Sequence, residues 1–234
     1  MEFINDIIFI ITNYWQYYLE GARNTVIIAL MGVLGGVTCG LIICLMRMAK
    51  GKGLLAKVMR GFSKTYIEIF RGTPVVVQMW IAVFALNVSV DGSLLGMKYE
   101  YLIPCLIAVC LNSGAYVSEI FRAGIEAVDR GQMEAAVCVG MKRSMAMRLI
   151  VLPQAIKNVL PALCNEFVTL IKETAVISYL GVADLFYSNT VVKTMTYIML
   201  PSFIVLAACY FVLCFFASKL VGILERRLHQ NDTH

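Results

Sequence analysis

The feature that most constrains this chain is a series of long apolar segments that carry almost no charge. Several windows of about 20 residues suffice for an α-helix to cross a bilayer core of ~30 Å. Hydrophobic residues make up 60% of the sequence and charged residues only 15%, whereas soluble domains are nearer ~25% charged. The sequence therefore predicts an all-α, multi-pass membrane protein with little room for a soluble domain.

The order of apolar and polar segments predicts three regions. Residues 1–23 form an N-terminal interfacial segment, because their apolar run is short and is followed by Tyr and Trp side chains that favour the membrane–water interface. Residues 24–221 form the transmembrane domain and residues 222–234 a charged tail. Five membrane-spanning helices are predicted, over residues 24–46, 66–86, 101–121, 155–180 and 197–221. Pro161 and several polar residues interrupt the fourth. Glycines in the first, at 32, 35, 36 and 40, permit close helix packing.

The distribution of Lys and Arg predicts the orientation of these helices. Residues 47–64 carry six basic side chains, residues 122–157 carry six, and the segment from residue 219 carries three. The segments on the opposite side carry one each, namely Arg23, Lys98 and Lys193. Because basic loops stay in the cytoplasm, we expect the N-terminus outside, the C-terminus inside and a long cytoplasmic loop at residues 122–154.

Polar residues in the second predicted span form the sequence RGTPVVVQ, Arg71–Gln78. Thr73 followed by Pro74 is typical of a helix start, since Thr caps free amides and Pro suits the first helical position. A helix that begins inside the membrane would direct its positive dipole end and free N–H groups at a carboxylate. A plain kink or a turn at the membrane edge explains Gly72–Pro74 equally well.

The third span contains a polar stretch that includes Asn112, Ser113, Tyr116 and Glu119. Residues 112, 116 and 119 share one helix face, which could line a polar path. For Glu119 we favour a simpler interpretation, an ion pair with Arg122 three residues on.

The fourth span also carries charged residues, among them Glu166, Lys172 and Glu173. An ionisable group at the bilayer centre costs ~3 kcal/mol on insertion scales, so this side must face protein or water. Two interpretations stay open at this point, polar contacts between helices and part of a substrate site.

Catalytic and nucleotide-binding motifs are missing from the sequence. It contains no G-x-S-x-G, H-E-x-x-H or G-x-x-x-x-G-K-[ST] pattern. The eight cysteines form no C-x-x-C pair, and the two histidines lie in the tail, so we expect neither a metal site nor a disulfide framework. The chain is predicted not to be an enzyme, and any pump that it forms must draw its energy from a separate subunit.

The cytoplasmic stretch GQMEAAVCVGMKRSMAMRLIVLPQA, residues 131–155, predicts two short helices joined by a turn. After Gly131, apolar or small residues recur at helical spacing, and Gly140 can supply the left-handed residue that ends a helix. A second helix is expected over 141–152, ending before Pro153. A DNA-reading unit has similar geometry, but spans anchor this loop at both ends, so docking of a protein partner is the better interpretation.

The same loop carries a family motif. Glu134-Ala135-Ala136 is followed at fixed spacings by Gly140, Ile150 and Leu152-Pro153, and this sequence resembles the EAA motif of the integral-membrane permease subunits of ABC importers. The stretches RGTPVVVQ, SGAYVSEIFRAGIEAV and LPALCNEFVTLIKETAVISYLG look like the polar amino acid uptake branch of that family. The resemblance extends from about residue 20 to residue 220.

The resemblance implies a type I ABC importer-like permease. The coupling loop would meet cytoplasmic ATP-binding subunits, which bind ATP and Mg²⁺, while this chain binds no cofactor. A second permease chain, identical or different, and an extracytoplasmic binding protein would complete an importer for a polar amino acid. The residues expected to couple the loop to the ATPase are Gly131, Glu134, Ala135, Ala136, Gly140, Leu152 and Pro153.

Substrate contacts are predicted on the polar stretches of three spans. The dipole end near Thr73 would take the α-carboxylate of an amino acid, and an acidic side chain would take its α-ammonium group. The candidate residues are Gly72, Thr73, Pro74, Gln78, Asn112, Ser113, Tyr116 and Glu166. Alternatives are another small solute that bears an amine or carboxylate, a stand-alone carrier, and a membrane-anchored DNA regulator.

Overall fold

The computed structural model describes residues 2–49, 51–86, 93–94, 97–98 and 101–229, and the predicted all-α architecture is confirmed for nearly all of them. The exception is a two-residue antiparallel pair, β1 (Ser93–Leu94) and β2 (Met97–Lys98). The α-helices are α1 (Glu2–Arg47), α2 (Leu54–Gly72), α3 (Val75–Leu86), α4 (Leu102–Glu126), α5 (Arg130–Cys138), α6 (Arg143–Ala146), α7 (Leu152–Glu173), α8 (Leu185–Thr196) and α9 (Leu200–His229). A π-helical turn (Met147–Val151) precedes α7, and a 3₁₀ helix (Thr174–Leu180) follows it.

Four helical segments of the described chain are long and apolar enough to cross a membrane. They are Glu2–Arg47, Leu102–Glu126, Arg143–Leu180 and Leu200–Arg227. The second predicted span is instead two helices, α2 and α3, and the chain direction bends by 109° between them. Counted together, that bent pair gives the fifth candidate span.

The helices that form differ from the prediction at Pro161 and at the C-terminal end of the last span. Pro161 lies inside α7 and does not interrupt it, because a neighbouring turn or helix can accommodate the lost backbone hydrogen bond. At the C-terminal end, α9 continues through the first residues of the predicted tail to His229. The remaining residues of the tail lie outside the described part of the chain.

At the N-terminal end, residues 2–23 are continuous with the first predicted span in one helix, α1, of 46 residues. At ~1.5 Å per residue, α1 is more than twice as long as the ~30 Å hydrocarbon core. Part of α1 therefore lies outside that core. An interfacial position for residues 1–23 stays a prediction.

The chain divides into two compact units. The first comprises Met1–Leu34, Thr73–Cys110 and Phe167–Ser218. Its main core is formed by fully or nearly fully buried apolar side chains, among them Ile28, Met79, Val109, Ile171 and Ile177. A second cluster in this unit packs α1 against α8 and α9 through Ile10, Tyr18, Leu185, Val192 and Leu206.

The second unit comprises Gly35–Gly72, Leu111–Glu166 and Lys219–His234. Its apolar cluster, built on Val128, Val151 and Ala155, lies where α4 ends and α7 begins. The predicted cytoplasmic loop thus carries a small core of its own.

Glycines four residues apart allow α1 to approach α4 closely within each unit. In the first unit, a Cβ atom on Gly32 would lie 2.8 Å from Val109. In the second, a Cβ atom on Gly36 would lie 2.5 Å from Ser113 Oγ, and one on Gly40 would lie 2.7 Å from Val117. The predicted role in helix packing is confirmed for Gly32, Gly36 and Gly40.

Gly36→Ala is therefore expected to destabilise the fold. Overpacking of this kind costs about 1–3 kcal/mol, so thermal unfolding in detergent should begin several degrees lower. Gly222→Ala is the matched control, since nothing lies within 4 Å of its Cβ position and alanine stabilises a helix by about 0.5–1 kcal/mol relative to glycine. Equal unfolding temperatures for Gly36→Ala and the native chain would contradict the packing argument.

A buried carboxyl group joins α8 to its neighbours in the first unit. Asp184 is fully buried and caps α8, accepting a hydrogen bond from the Tyr187 backbone N–H at 2.8 Å. The hydroxyl of Tyr210 donates to its other oxygen at 3.3 Å, and the Leu185 N–H donates to Thr25 Oγ1 at 3.0 Å. Asp184 lies outside the candidate spans, and burial raises its pKa from 3.8 to about 7 against the opposing effect of its hydrogen bonds.

This raised pKa predicts a pH-dependent stability. Between pH 3.8 and about 7, the native chain holds a proton that the unfolded chain releases, so the free energy of unfolding falls by up to ~1.4 kcal/mol per pH unit as the pH rises. Asp184→Asn keeps the N-cap and should remove this slope. Thermal unfolding of both proteins from pH 4 to pH 8 measures it, and parallel curves would exclude Asp184 as its source.

Candidate functional site

The loop predicted to be cytoplasmic begins with a capped helix. The Asp129 side chain accepts a hydrogen bond from the Gly131 backbone N–H at 2.5 Å, and α5 starts at Arg130. Gly131 is therefore the second residue of α5. This corrects the prediction, which placed Gly131 before the helix. Aspartate is a strong N-cap residue, so Asp129 could have indicated the start of α5. The prediction instead placed that start after Gly131.

Gly140 ends α5 as predicted. Its φ is +88°, in the left-handed region that glycine adopts without steric cost. The Gly140 N–H donates to Val137 O and the Met141 N–H donates to Ala136 O, each at 3.0 Å. These two bonds are the pair that defines a Schellman motif. The turn after α5 is therefore sharply defined.

The side chains of the EAA motif divide between the loop's interior and its surface. Ala136 is buried, whereas Glu134, Ala135 and Gly140 are exposed. Val139, next to the turn, is 79% exposed. The loop thus presents a carboxylate, a small residue, an apolar side chain and a bare backbone turn on one short element.

Pro153 does not end the second helix of the loop, which corrects the prediction. A π-helical turn separates α6 from α7, and the Leu152 N–H donates to Met147 O, five residues back. Pro153 then occupies the second position of α7, where its missing N–H needs no partner in the α-helical ladder. The Gln154 side-chain amide donates to Ile150 O at 3.1 Å. α6, the π-helical turn and α7 are consequently one continuous helical path.

A chain of ion pairs joins the ends of α1 and α4 in the second unit. The predicted pair of Glu119 with Arg122 is confirmed at 2.7 Å. Arg122 also contacts Glu126 at 2.5 Å, and Arg47 pairs with the second oxygen of Glu119. Arg47 lies 72 residues from Glu119, so no local pattern could have indicated it.

The candidate substrate residues of the second unit include one direct pair. Ser113 is fully buried, and its hydroxyl donates to Glu166 Oε1 at 2.9 Å. Asn112, nearly buried, donates to the carbonyl of Phe70 at 3.0 Å. The ring of Tyr116 is partly exposed, and the Arg71 guanidinium lies 5.2 Å from its centroid.

The remaining member of that set, Gly72, ends α2, and the other three candidates lie in the first unit. The helix start predicted at Thr73–Pro74 is present, since α3 begins at Val75. The Gln78 amide donates to Thr73 O at 3.0 Å and to Thr73 Oγ1 at 2.8 Å. Gln78 therefore stabilises the break between α2 and α3.

These features define an all-helical, multi-pass membrane protein with a structured loop between α4 and α7, and comparison with known proteins gives the family. Residues 32–230 match the family described as binding-protein-dependent transport system inner membrane component. The chain is 37% identical to a protein of Rickettsia felis named as a candidate glutamine transport system permease, GlnP, over 92% of this chain and 94% of the relative. It is 35% identical to the arginine transport system permease protein ArtQ of Bacillus subtilis, with the same coverage.

A solved structure agrees with these relatives. One chain from the crystal structure of an amino acid ABC transporter with histidines superimposes with a TM-score of 0.82 at 38% identity, covering 93% of this chain and 96% of that chain. The present chain belongs to the family of inner membrane components of binding-protein-dependent transport systems. It is a multi-pass permease of the bacterial inner membrane and not the ATPase of its system.

Proposed function

We propose that this permease imports a polar amino acid that an extracytoplasmic binding protein delivers. Relatives named for glutamine and arginine transport support this substrate class. A separate cytoplasmic subunit binds ATP and Mg²⁺ and hydrolyses the ATP, and this chain alternates between inward-facing and outward-facing states. The N-terminus lies outside, the C-terminus lies in the cytoplasm, and a second permease chain, identical or different, completes the pathway.

The observation that carries this proposal is the geometry of the cytoplasmic loop. The short helix α5 is capped at both ends and supported by its own apolar cluster, so it can transmit force as a unit. Glu134, Ala135 and Gly140 are exposed for contact with the ATPase subunit. Gly131 and Ala136 shape the helix, and Leu152 and Pro153 begin the helix that continues into the membrane.

Polar residues of each unit are candidates for substrate contact, and each set is assigned its role within its own unit. In the second unit, the Glu166 carboxylate would bind the α-ammonium group, with Ser113 positioning one of its oxygens and Asn112 and Tyr116 nearby on α4. In the first unit, the start of α3 at Thr73 and Pro74 would favour the α-carboxylate. Gln78 holds that helix start in place. In the second unit, Gly72 ends α2, and within the described part of the chain nothing beyond its chain neighbours lies within 4 Å of its Cβ position.

Reconstitution with the ATPase and binding protein of the same system tests the function. Vesicles that contain the complete assembly should accumulate a labelled polar amino acid, and the amino acid with its binding protein should stimulate ATP hydrolysis. Vesicles that contain the permease alone should accumulate none. Uptake without the ATPase would instead support a stand-alone carrier, and uptake confined to a different amine- or carboxylate-bearing solute would reassign the substrate.

A further inference from the structure

The first half of α2 carries an exposed apolar stripe that the transport function does not use. Leu54, Val58 and Phe62 follow one another at intervals of four residues, so they lie along one side of the helix. Their exposed fractions are 79%, 57% and 56%, and Leu55 beside them is 74% exposed. The stripe needs an apolar environment that the described part of the chain does not supply.

The opposite side of α2 packs against the rest of the second unit. Ser63 and Ile67, four residues apart, are its buried side chains. The segment before α2 is also held to it, because the Arg60 guanidinium donates to Ala49 O at 2.7 Å and to Gly51 O at 3.2 Å. These contacts fix α2 and its exposed stripe in one orientation.

Exposed lysines accompany the stripe. Lys52 and Lys57 form no ion pair with any residue that the structure describes, and Lys64 lies 3.8 Å from Glu68 with both side chains largely exposed. No Asp or Glu occurs between residues 47 and 67. Lys57 follows Leu54 by three residues and so flanks the stripe. This half of α2 therefore combines uncompensated positive charge with exposed apolar surface.

We propose that residues 52–64 form a binding surface for anionic phospholipids of the cytoplasmic leaflet. Lys52, Lys57 and Lys64 bind the headgroup phosphates, and the apolar stripe, Leu54, Leu55, Val58 and Phe62, lies among the upper acyl chains. Two effects hold a basic amphipathic helix at such a surface: burial of its apolar side chains and attraction of its lysines to anionic headgroups. The inference rests on the cytoplasmic orientation proposed above but not on the identity of the transported solute.

Charge complementarity favours lipid over a protein partner. Lys57 and Lys64 lie on α2, the first helix of the bent pair, and Lys52 precedes that helix. At the membrane surface anionic headgroups are the abundant counter-charge. Lysine stems reach several ångströms along apolar surface while the ammonium group stays at the headgroup level.

Native mass spectrometry of the purified permease tests this surface without requiring transport. The chain is titrated with dioleoylphosphatidylglycerol or, for comparison, dioleoylphosphatidylcholine, and bound lipids are counted. Replacing Lys52, Lys57 and Lys64 together by Gln should weaken phosphatidylglycerol binding at least about tenfold, since each lysine near an anionic surface is worth roughly fivefold. Binding of phosphatidylcholine should stay unchanged.

The matched control keeps the charge at the same positions. Replacing Lys52, Lys57 and Lys64 together by Arg should change phosphatidylglycerol binding less than about threefold, because the positive charge beside the stripe is retained. A second variant, Phe62→Ser, tests the apolar contribution and should weaken binding while all three lysines remain.

Two results would overturn the proposal. One is unchanged phosphatidylglycerol binding by the Lys52, Lys57 and Lys64 variant when gel filtration shows that the protein is folded. The other is a shift from dimer to monomer in the same spectra with lipid binding intact, which would assign the stripe to a second copy of the chain. Neither result bears on uptake, so failure here and failure of the proposed transport function are distinguishable.

Discussion

Gly140→Asp is expected to lower substrate-stimulated ATP hydrolysis and uptake by at least about tenfold while the chain still folds. Aspartate tolerates the left-handed region better than most residues, and among the described residues nothing beyond the chain neighbours of Gly140 lies within 4 Å of its Cβ position. The turn therefore survives, but a carboxylate is added on the exposed side of the loop. Burying that unpaired charge against a partner subunit costs about 2–5 kcal/mol, which is the source of the expected loss.

The matched control for this substitution is Gly181→Asp. Gly181 has φ +81°, close to the value at Gly140, and its Cβ position is equally empty. It ends the 3₁₀ helix in the first unit, away from the loop sequence. Near-native uptake by Gly181→Asp with loss in Gly140→Asp assigns the effect to coupling. Native rates in both variants would count against a coupling role for the turn.

Glu166→Gln is expected to weaken binding of the transported amino acid to the permease by about 10–100-fold. A hydrogen bond to a charged group contributes about 1.5–3 kcal/mol, and the neutral amide loses the charge that attracts an ammonium group. The measurement is calorimetric titration of the permease–ATPase complex with the amino acid in the absence of the binding protein. The selectivity of the binding protein then does not enter the result.

Two further variants separate the role of Glu166 from a general effect of charge. Glu173→Gln removes the same charge from the exposed end of α7 and should leave the affinity unchanged. Ser113→Ala removes only the hydroxyl that donates to Glu166 at 2.9 Å, and a loss of about tenfold or less is expected from one neutral donor. Unchanged affinity in Glu166→Gln would exclude its carboxylate as the ammonium ligand.

Local chemistry in the sequence predicted the turns of this fold well. Gly140 and the Thr73–Pro74 pair each signal a helix end or start through backbone preferences that need no distant partner. The Glu119–Arg122 pair was predictable for the same reason, since residues three apart on a helix are neighbours. The glycines of α1 indicated close packing, although not which residues of α4 they would meet.

Contacts between distant residues could not be predicted in this way. Arg47 meets Glu119 and Ser113 meets Glu166 across 72 and 53 residues, and only the packing of whole helices brings them together. Pro161 and Pro153 were misjudged because proline alone is a strong helix-ending signal, whereas tertiary contacts and a widened turn accommodate both.

The π-helical turn before α7 sets the direction in which α5 projects about the axis of α7. An α-helix advances by about 100° per residue, so one residue added or removed between Gly140 and Pro153 would swing α5 by that angle about the axis of α7. Glu134 and Ala135 would then face a different direction while every other element kept its place. The number of residues in this short connection thus determines the direction in which α5 and its exposed side chains face.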